Sequence, residues 1–106
     1  MTFDTLLSFV KEEDVRLRVY YKDLSPTERE RLYSRTIKLT EEVGELCNEI
    51  LASQKDQRKE KLKDNTKDLE EEFADVVITT ILLALTAGID IEKSLEEKMK
   101  KIEERY

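Results

Sequence analysis

Glu72-Phe73-Ala74-Asp75-Val76-Val77-Ile78-Thr79-Thr80-Ile81-Leu82-Leu83-Ala84-Leu85-Thr86-Ala87-Gly88 changes character at one residue. Residues 67 to 75 are mostly charged, whereas Val76 to Ala87 are apolar or neutral around the whole circumference of a helix. A helix that is apolar all round is buried all round. Gly88 is a good residue to follow its last turn. The uncharged run from Val76 to Ile89 is 14 residues long, short of the roughly 18 that suggest a membrane span. The segment therefore reads as the interior helix of a soluble protein. A small helical domain has too little surface to enclose it, so the pattern predicts packing against a second subunit, in a homodimer or homotetramer.

Working outward, Asn65 or Thr66 is placed to cap this third helix, and the polar run over 54–66 reads as a connection. Its Lys55, Arg58, Lys59, Lys61 and Lys63 are expected to be solubilising. Upstream, Ser25-Pro26-Thr27-Glu28 predicts a helix start, with Ser25 as N-cap, Pro26 in the first helical position and Glu28 completing a capping box. This second helix runs to about Ser53, with Leu32, Leu39 and Leu46 seven apart and Thr36, Val43 and Ile50 interleaved as one apolar stripe. Phe3, Leu6, Leu7 and Val10 open a first helix that ends near Lys22-Asp23. Asp90 caps a fourth, carrying Ile91, Leu95, Met99 and Ile102. The expected fold is all-α: a four-helix chain, 1–106 forming a single domain, whose antiparallel helices pack as a bundle with a second subunit.

Composition narrows the chemistry. The 106 residues carry a formal net charge of −6, which argues against a nucleic-acid polymer or an anionic membrane as partner. There is no histidine, and Cys47 is the single cysteine, expected as a small core or edge residue. Histidine acid–base work, Ser-His and Cys-His triads, most zinc sites and an intramolecular disulfide are thereby excluded. Any metal must be held by oxygen, which favours Mg²⁺, Mn²⁺ or Ca²⁺. Met1 to Lys11 lacks a basic stretch and a cleavage site of the signal-peptide kind, so the expected location is cytoplasmic.

Two acidic clusters remain, Glu41-Glu42-Val43-Gly44-Glu45 and Glu72-Phe73-Ala74-Asp75. Helical positions i and i+3 lie roughly 5–6 Å apart at Cβ, so Glu42 pairs with Glu45 and Glu72 with Asp75. Each pair flanks an apolar stripe. If the stripes face one another antiparallel, four carboxylates converge at the edge of the contact, with Asp75 partly buried where it opens the uncharged run. An unpaired buried carboxylate raises its pKa and neutralises, and a divalent cation would satisfy all four groups together. Spacing alone is equally compatible with a solvated acidic face. Glu41, Glu70, Glu71, Glu96 and Glu97 are expected to be exposed, and Glu49, one turn past Glu45, to be solvated.

The EExxE…ExxD arrangement of these clusters resembles the MazG-like nucleoside triphosphate pyrophosphohydrolases. These belong to the all-α NTP pyrophosphatases, with the dimeric dUTPases and the phosphoribosyl-ATP pyrophosphatases. The similarity runs over roughly residues 36 to 106 and includes the apolar helix after Asp75, the turn Gly88-Ile89-Asp90-Ile91, and Lys98-Met99…Arg105-Tyr106. The resemblance implies that Glu42, Glu45, Glu72 and Asp75 bind Mg²⁺, with Mn²⁺ a substitute, and that a (deoxy)nucleoside triphosphate is cut to nucleoside monophosphate and pyrophosphate. Glu42 and Glu45 would be catalytic, although Glu41 or another of the carboxylates could equally serve as general base. Lys98, Lys101 and Arg105 would be phosphate-side cations. Two positions depart from the family pattern, Ile102 where an asparagine is frequent and Thr79 where some relatives carry a polar aromatic, so base and sugar preference do not transfer. A phosphoribosyl-ATP or dUTP-type hydrolase, and a non-catalytic helical adaptor, remain alternatives.

Overall fold

In a computed structural model the chain forms four α-helices, α1 (Phe3–Tyr20), α2 (Glu28–Ser53), α3 (Lys59–Thr86) and α4 (Ile91–Glu103). Residues 1–54 and 59–106 are described, the stretch 59–67 by its backbone alone, and among the described residues there is no strand. The helix ends follow local chemistry. Thr2 and Thr5 cap α1 reciprocally, each hydroxyl accepting the other's backbone N–H, at 3.0 and 3.2 Å. At the far end of α3, Gly88 takes φ 73°. There Ile89 N–H bonds to the carbonyl of Ala84 at 2.9 Å and Gly88 N–H to that of Leu85 at 3.1 Å, a Schellman closure that only a residue tolerating positive φ makes cheaply. Asp90 then caps α4 by accepting Lys93 N–H at 3.1 Å, and α4 departs from α3 at a bend of 110°.

Two expected boundaries move. The α2 cap is Thr27 rather than Ser25: Thr27 Oγ1 accepts Glu30 N–H at 3.1 Å, and Pro26 lies outside the helix. The sequence holds two overlapping S/T-x-x-E frames, and the later one is used. Ser25 instead shares a hydrogen bond with Ser34, 3.0 Å away, which ties the α1–α2 turn to α2. The third helix is already under way at Lys59, so Asn65 and Thr66 lie within it rather than at its start. Lys, Glu and Leu are strong helix formers, and polarity alone does not end a helix. Of the expected connection, residues 55–58 lie outside the described residues.

Chain direction follows from two cross-helix meetings. Arg35, early in α2, donates to Thr86 Oγ1 at the end of α3, 2.6 Å away. Glu45, later in α2, meets Glu72, earlier in α3. The helices are therefore antiparallel. Packing of α1 over the C-terminal half of α3 buries Val10 against Ile81 and Leu82, with Leu6, Leu7, Leu17, Ile78 and Leu85 around them.

The expectation that α3 is buried all round holds on one side only within this chain. Ile81 and Leu82 are buried, but Phe73 and Val77 are about half exposed, at 50% and 48%. The face of α2 that turns inward also differs from expectation. Leu32, Leu39 and Leu46 of the anticipated stripe are half-buried, but Arg35 and Glu42 are the buried residues beside them, and Thr36, Val43 and Ile50 are exposed. Arg35, Glu42 and Glu49 share the inward face with those leucines, and Lys38 and Glu45 stand exposed at its edge. Cys47, expected at the core or its edge, is exposed.

Candidate active site

Glu42 on the inward face of α2, and Glu45 one turn on at its exposed edge, stand opposite Glu72 of α3. One carboxylate oxygen from each of the three lies within 4.8 Å of the other two. Glu42 is the anchor. It retains 6% exposure, and its Oε1 accepts a hydrogen bond from Lys38 Nζ at 3.1 Å, one helical turn back. Its Oε2 is buried with no hydrogen-bond partner among the described residues, and so is Oε2 of Glu72. Glu45 is exposed.

Asp75 joins the group through the cavity it shares with Glu42. It is exposed rather than partly buried as expected, because it stands at the cavity mouth before α1 begins to cover α3. Glu41 is exposed as anticipated, its carboxylate 3.8 Å from Lys38 Nζ. Glu70, Glu71, Glu96 and Glu97 are exposed too. Glu49 departs from its expected solvation: its Oε2 is buried and unpartnered among the described residues.

The electrostatics match this crowding. Glu72 is pushed above the ordinary carboxylate range by burial first, then by the charges of Glu45, Glu42 and Asp75. Asp75 is raised by desolvation and by Glu42 and Glu71, against the pull of Lys38. Lys38 is itself raised, mainly by its hydrogen bond to Glu42, which outweighs its desolvation. One lysine faces four carboxylates, so the cluster holds more negative charge than its own chain compensates. Buried carboxylate oxygens without donors are costly. A hard cation with oxygen ligands is the group this donor set fits, since Mg²⁺ and Mn²⁺ take carboxylate oxygens and retain waters where the protein supplies few ligands.

Lys98, Lys101 and Arg105 are not brought to this site within the chain. They are exposed on or just after α4, do not line the cavity and form no ion pair with its carboxylates among the described residues. Reading the sequence missed Lys38, although an i,i+4 pairing with Glu42 was there to be seen. It also missed the buried pair of Asp14 on α1 and Arg35 on α2, joined at 2.6 Å. The available signal for Arg35 was its position seven residues before Glu42, on the same face.

Residues 32–106 match the MazG nucleotide pyrophosphohydrolase domain. The chain belongs to that family. No curated protein and no solved structure matches it. The MazG match takes in α3, α4 and all of α2 but its first turn, with all four carboxylates and Lys38. It leaves α1 outside, yet the cavity, of about 580 Å³, is walled by both parts: Glu42, Asp75, Thr79 and Leu82 from the MazG segment, Leu17 and Tyr21 from α1 and its cap. Among the described residues no single helix is long and apolar enough to cross a membrane.

Proposed function

We propose that this MazG chain hydrolyses (deoxy)nucleoside triphosphates to nucleoside monophosphate and pyrophosphate, using Mg²⁺ or Mn²⁺ held by Glu42, Glu45, Glu72 and Asp75. The observation that carries the reading is the pair of buried, donorless oxygens on Glu42 and Glu72, beside a cavity lined by Glu42 and Asp75 and large enough for a nucleotide. When bound, the cation supplies positive charge for phosphate oxygens and lowers the pKa of a coordinated water. Glu42, fixed by Lys38, orients that centre. Glu45, exposed beside it, is the carboxylate placed to take the proton from the attacking water. Lys38 lines the cavity beside Glu42, where its ammonium would be available to a phosphate oxygen if Glu42 held a cation.

The reading includes a homodimer or homotetramer. Lys98, Lys101 and Arg105 do not reach the site of their own chain, and α4 presents Leu95, Met99 and Ile102 uncovered. A second copy packed over these apolar faces would carry its basic α4 toward the acidic cavity.

The deciding experiment incubates the protein with Mg²⁺ and a panel of standard and modified (d)NTPs and resolves the product as pyrophosphate or single phosphate. Pyrophosphate release is expected, and Asp75→Asn is expected to abolish it while the helical circular dichroism persists. Self-association without pyrophosphate from any nucleotide would instead identify a non-catalytic adaptor on this scaffold.

A further inference from the structure

Resting on that hydrolase reading, we propose that the end of α1 and the turn after it form the base-recognition wall of the cavity. Selectivity for the nucleobase then lies with Tyr21 and Leu24, ahead of the family-matched residues. The cavity follows α2 from Glu42 past Lys38 to Arg31, a distance of about 16 Å at 1.5 Å per residue. Its character changes along that path. Glu42 and Asp75 stand at one end, Lys38 comes next, and Leu17, Tyr21, Leu24 and Arg31 form the other, with Glu13 and Arg18 of α1 also on the lining. A nucleoside triphosphate has the same order, with phosphates to meet a cation, then sugar, then a flat apolar base.

The far wall is built rather than incidental. Tyr21 packs its ring edge-on against Tyr20, with centroids 4.8 Å apart and planes at 73°. Ser25 holds the turn on α2 through Ser34. Arg31 makes no carboxylate ion pair among the described residues, and its contact with the Pro26 carbonyl is long, at 3.5 Å. Its guanidinium donors are therefore available to acceptor atoms on a base edge. Stacking on Tyr21 and contact with Leu24 would recognise the base face.

The test compares wild type with Tyr21→Ala, Tyr21→Phe and Leu24→Ser, using the nucleotide turned over best and inorganic triphosphate as a base-free probe. Tyr21→Ala should raise KM for the nucleotide about tenfold, with a much smaller change in kcat, as expected for loss of base stacking. Tyr21→Phe should recover most of that loss, Leu24→Ser should shift KM in the same direction as Tyr21→Ala, and binding of inorganic triphosphate should not distinguish Tyr21→Ala from wild type. Unchanged nucleotide KM in both Tyr21→Ala and Leu24→Ser overturns the proposal, as does wild-type turnover of inorganic triphosphate as efficient as that of any nucleotide. Calorimetric binding of the corresponding nucleoside monophosphate without divalent cation separates this proposal from the hydrolase reading. Binding by wild type that Tyr21→Ala weakens supports the base wall even if no triphosphate is cut, and no binding by wild type overturns it.

Discussion

Arg35 of α2 donates a hydrogen bond to Oδ1 of Asp14 on α1 at 2.6 Å, with both side chains about nine-tenths buried. The same Nη1 reaches Thr86 on α3, so one guanidinium ties three helices together, and Arg18 binds the other oxygen of Asp14. Burial pushes the Asp14 carboxyl upward, but hydrogen bonds from Arg35 and Arg18 outweigh it and hold Asp14 below its usual value of 3.8. Removing one member of a buried pair leaves an uncompensated charge and costs about 3–5 kcal/mol. Arg35→Met should therefore lower stability by an amount near the bottom of that range, because Arg18 still serves Asp14. The double change Asp14→Leu with Arg35→Met should be less destabilised than the sum of the single changes. Urea denaturation of the four proteins measures this coupling. Because Asp14 has a depressed folded pKa, its contribution is fully present above the unfolded value and is lost as pH falls through the folded one. The wild-type denaturation midpoint should thus fall more steeply below about pH 4 than that of the double variant.

Lys38 is the one positive group donating to the acidic cluster among the described residues, and it does so at the position a cation would neutralise. Lys38→Met should tighten Mn²⁺ binding to the nucleotide-free protein about threefold to tenfold, the range expected when a charge a few ångströms away is removed in a partly solvated site. The same change should raise KM for a triphosphate, since a phosphate-facing cation has gone. Electron paramagnetic resonance of free Mn²⁺ reads the first effect independently of catalysis. Weaker Mn²⁺ binding would mean that Lys38 positions Glu42 rather than competing with the metal.

Glu72 supplies a test with a sign. Its carboxyl is raised by burial and by Glu45, Glu42 and Asp75, so the folded state holds a proton there more tightly than the unfolded state does. Such a group destabilises the fold above its folded pKa, and the penalty disappears as pH falls below the ordinary carboxylate value. Without divalent cation, Glu72→Gln should melt at a higher temperature than wild type at pH 7, with the gap narrowing toward pH 4.5. Adding Mg²⁺ should reverse the order at pH 7, because only the intact cluster gains from a ligand that binds the folded state. Thermal melts at two pH values, with and without Mg²⁺, suffice.

The helices were readable because their boundary residues act locally: Gly88 and Asp90 close and open helices through bonds to near neighbours. The meeting of Glu42, Glu45 and Glu72 was foreshadowed because i,i+3 spacing is a property of one helix. What the sequence hid was the rotation of α2. Leu32, Leu39 and Leu46 do turn partly inward, but the residues buried beside them are Arg35 and Glu42, while Thr36, Val43 and Ile50 are exposed. A charged residue faces inward only when a compensating group meets it: Asp14 reaches Arg35 from α1, a long-range pairing that leaves no periodic trace, whereas Lys38 meets Glu42 one turn away within α2. The α3 start failed for the opposite reason: its first turns are polar, and polarity was read as an interruption.

That rotation leaves an apolar flank outside, and its consequence is measurable. Phe73 and Val77, one turn apart on α3, are about half exposed at 50% and 48%, and Val43 and Ile50 of α2 are exposed as well. The radius of gyration is 16.7 Å, against about 13 Å for a compact chain of roughly 100 residues. Open shape and exposed apolar surface together are what a chain shows when part of its core is completed by another copy. Sedimentation equilibrium should find wild type as a dimer or tetramer at micromolar concentration, and Phe73→Glu should shift it toward monomer. The monomer should still bind Mn²⁺, since Glu42, Glu45 and Glu72 converge within one chain. It should lose most nucleotide turnover if Lys98, Lys101 and Arg105 act from the neighbouring copy. A wild-type protein that sediments as a monomer at every concentration would refute the shared core, and a Phe73→Glu monomer with full turnover would show that each chain's site is complete without the second copy's basic helix.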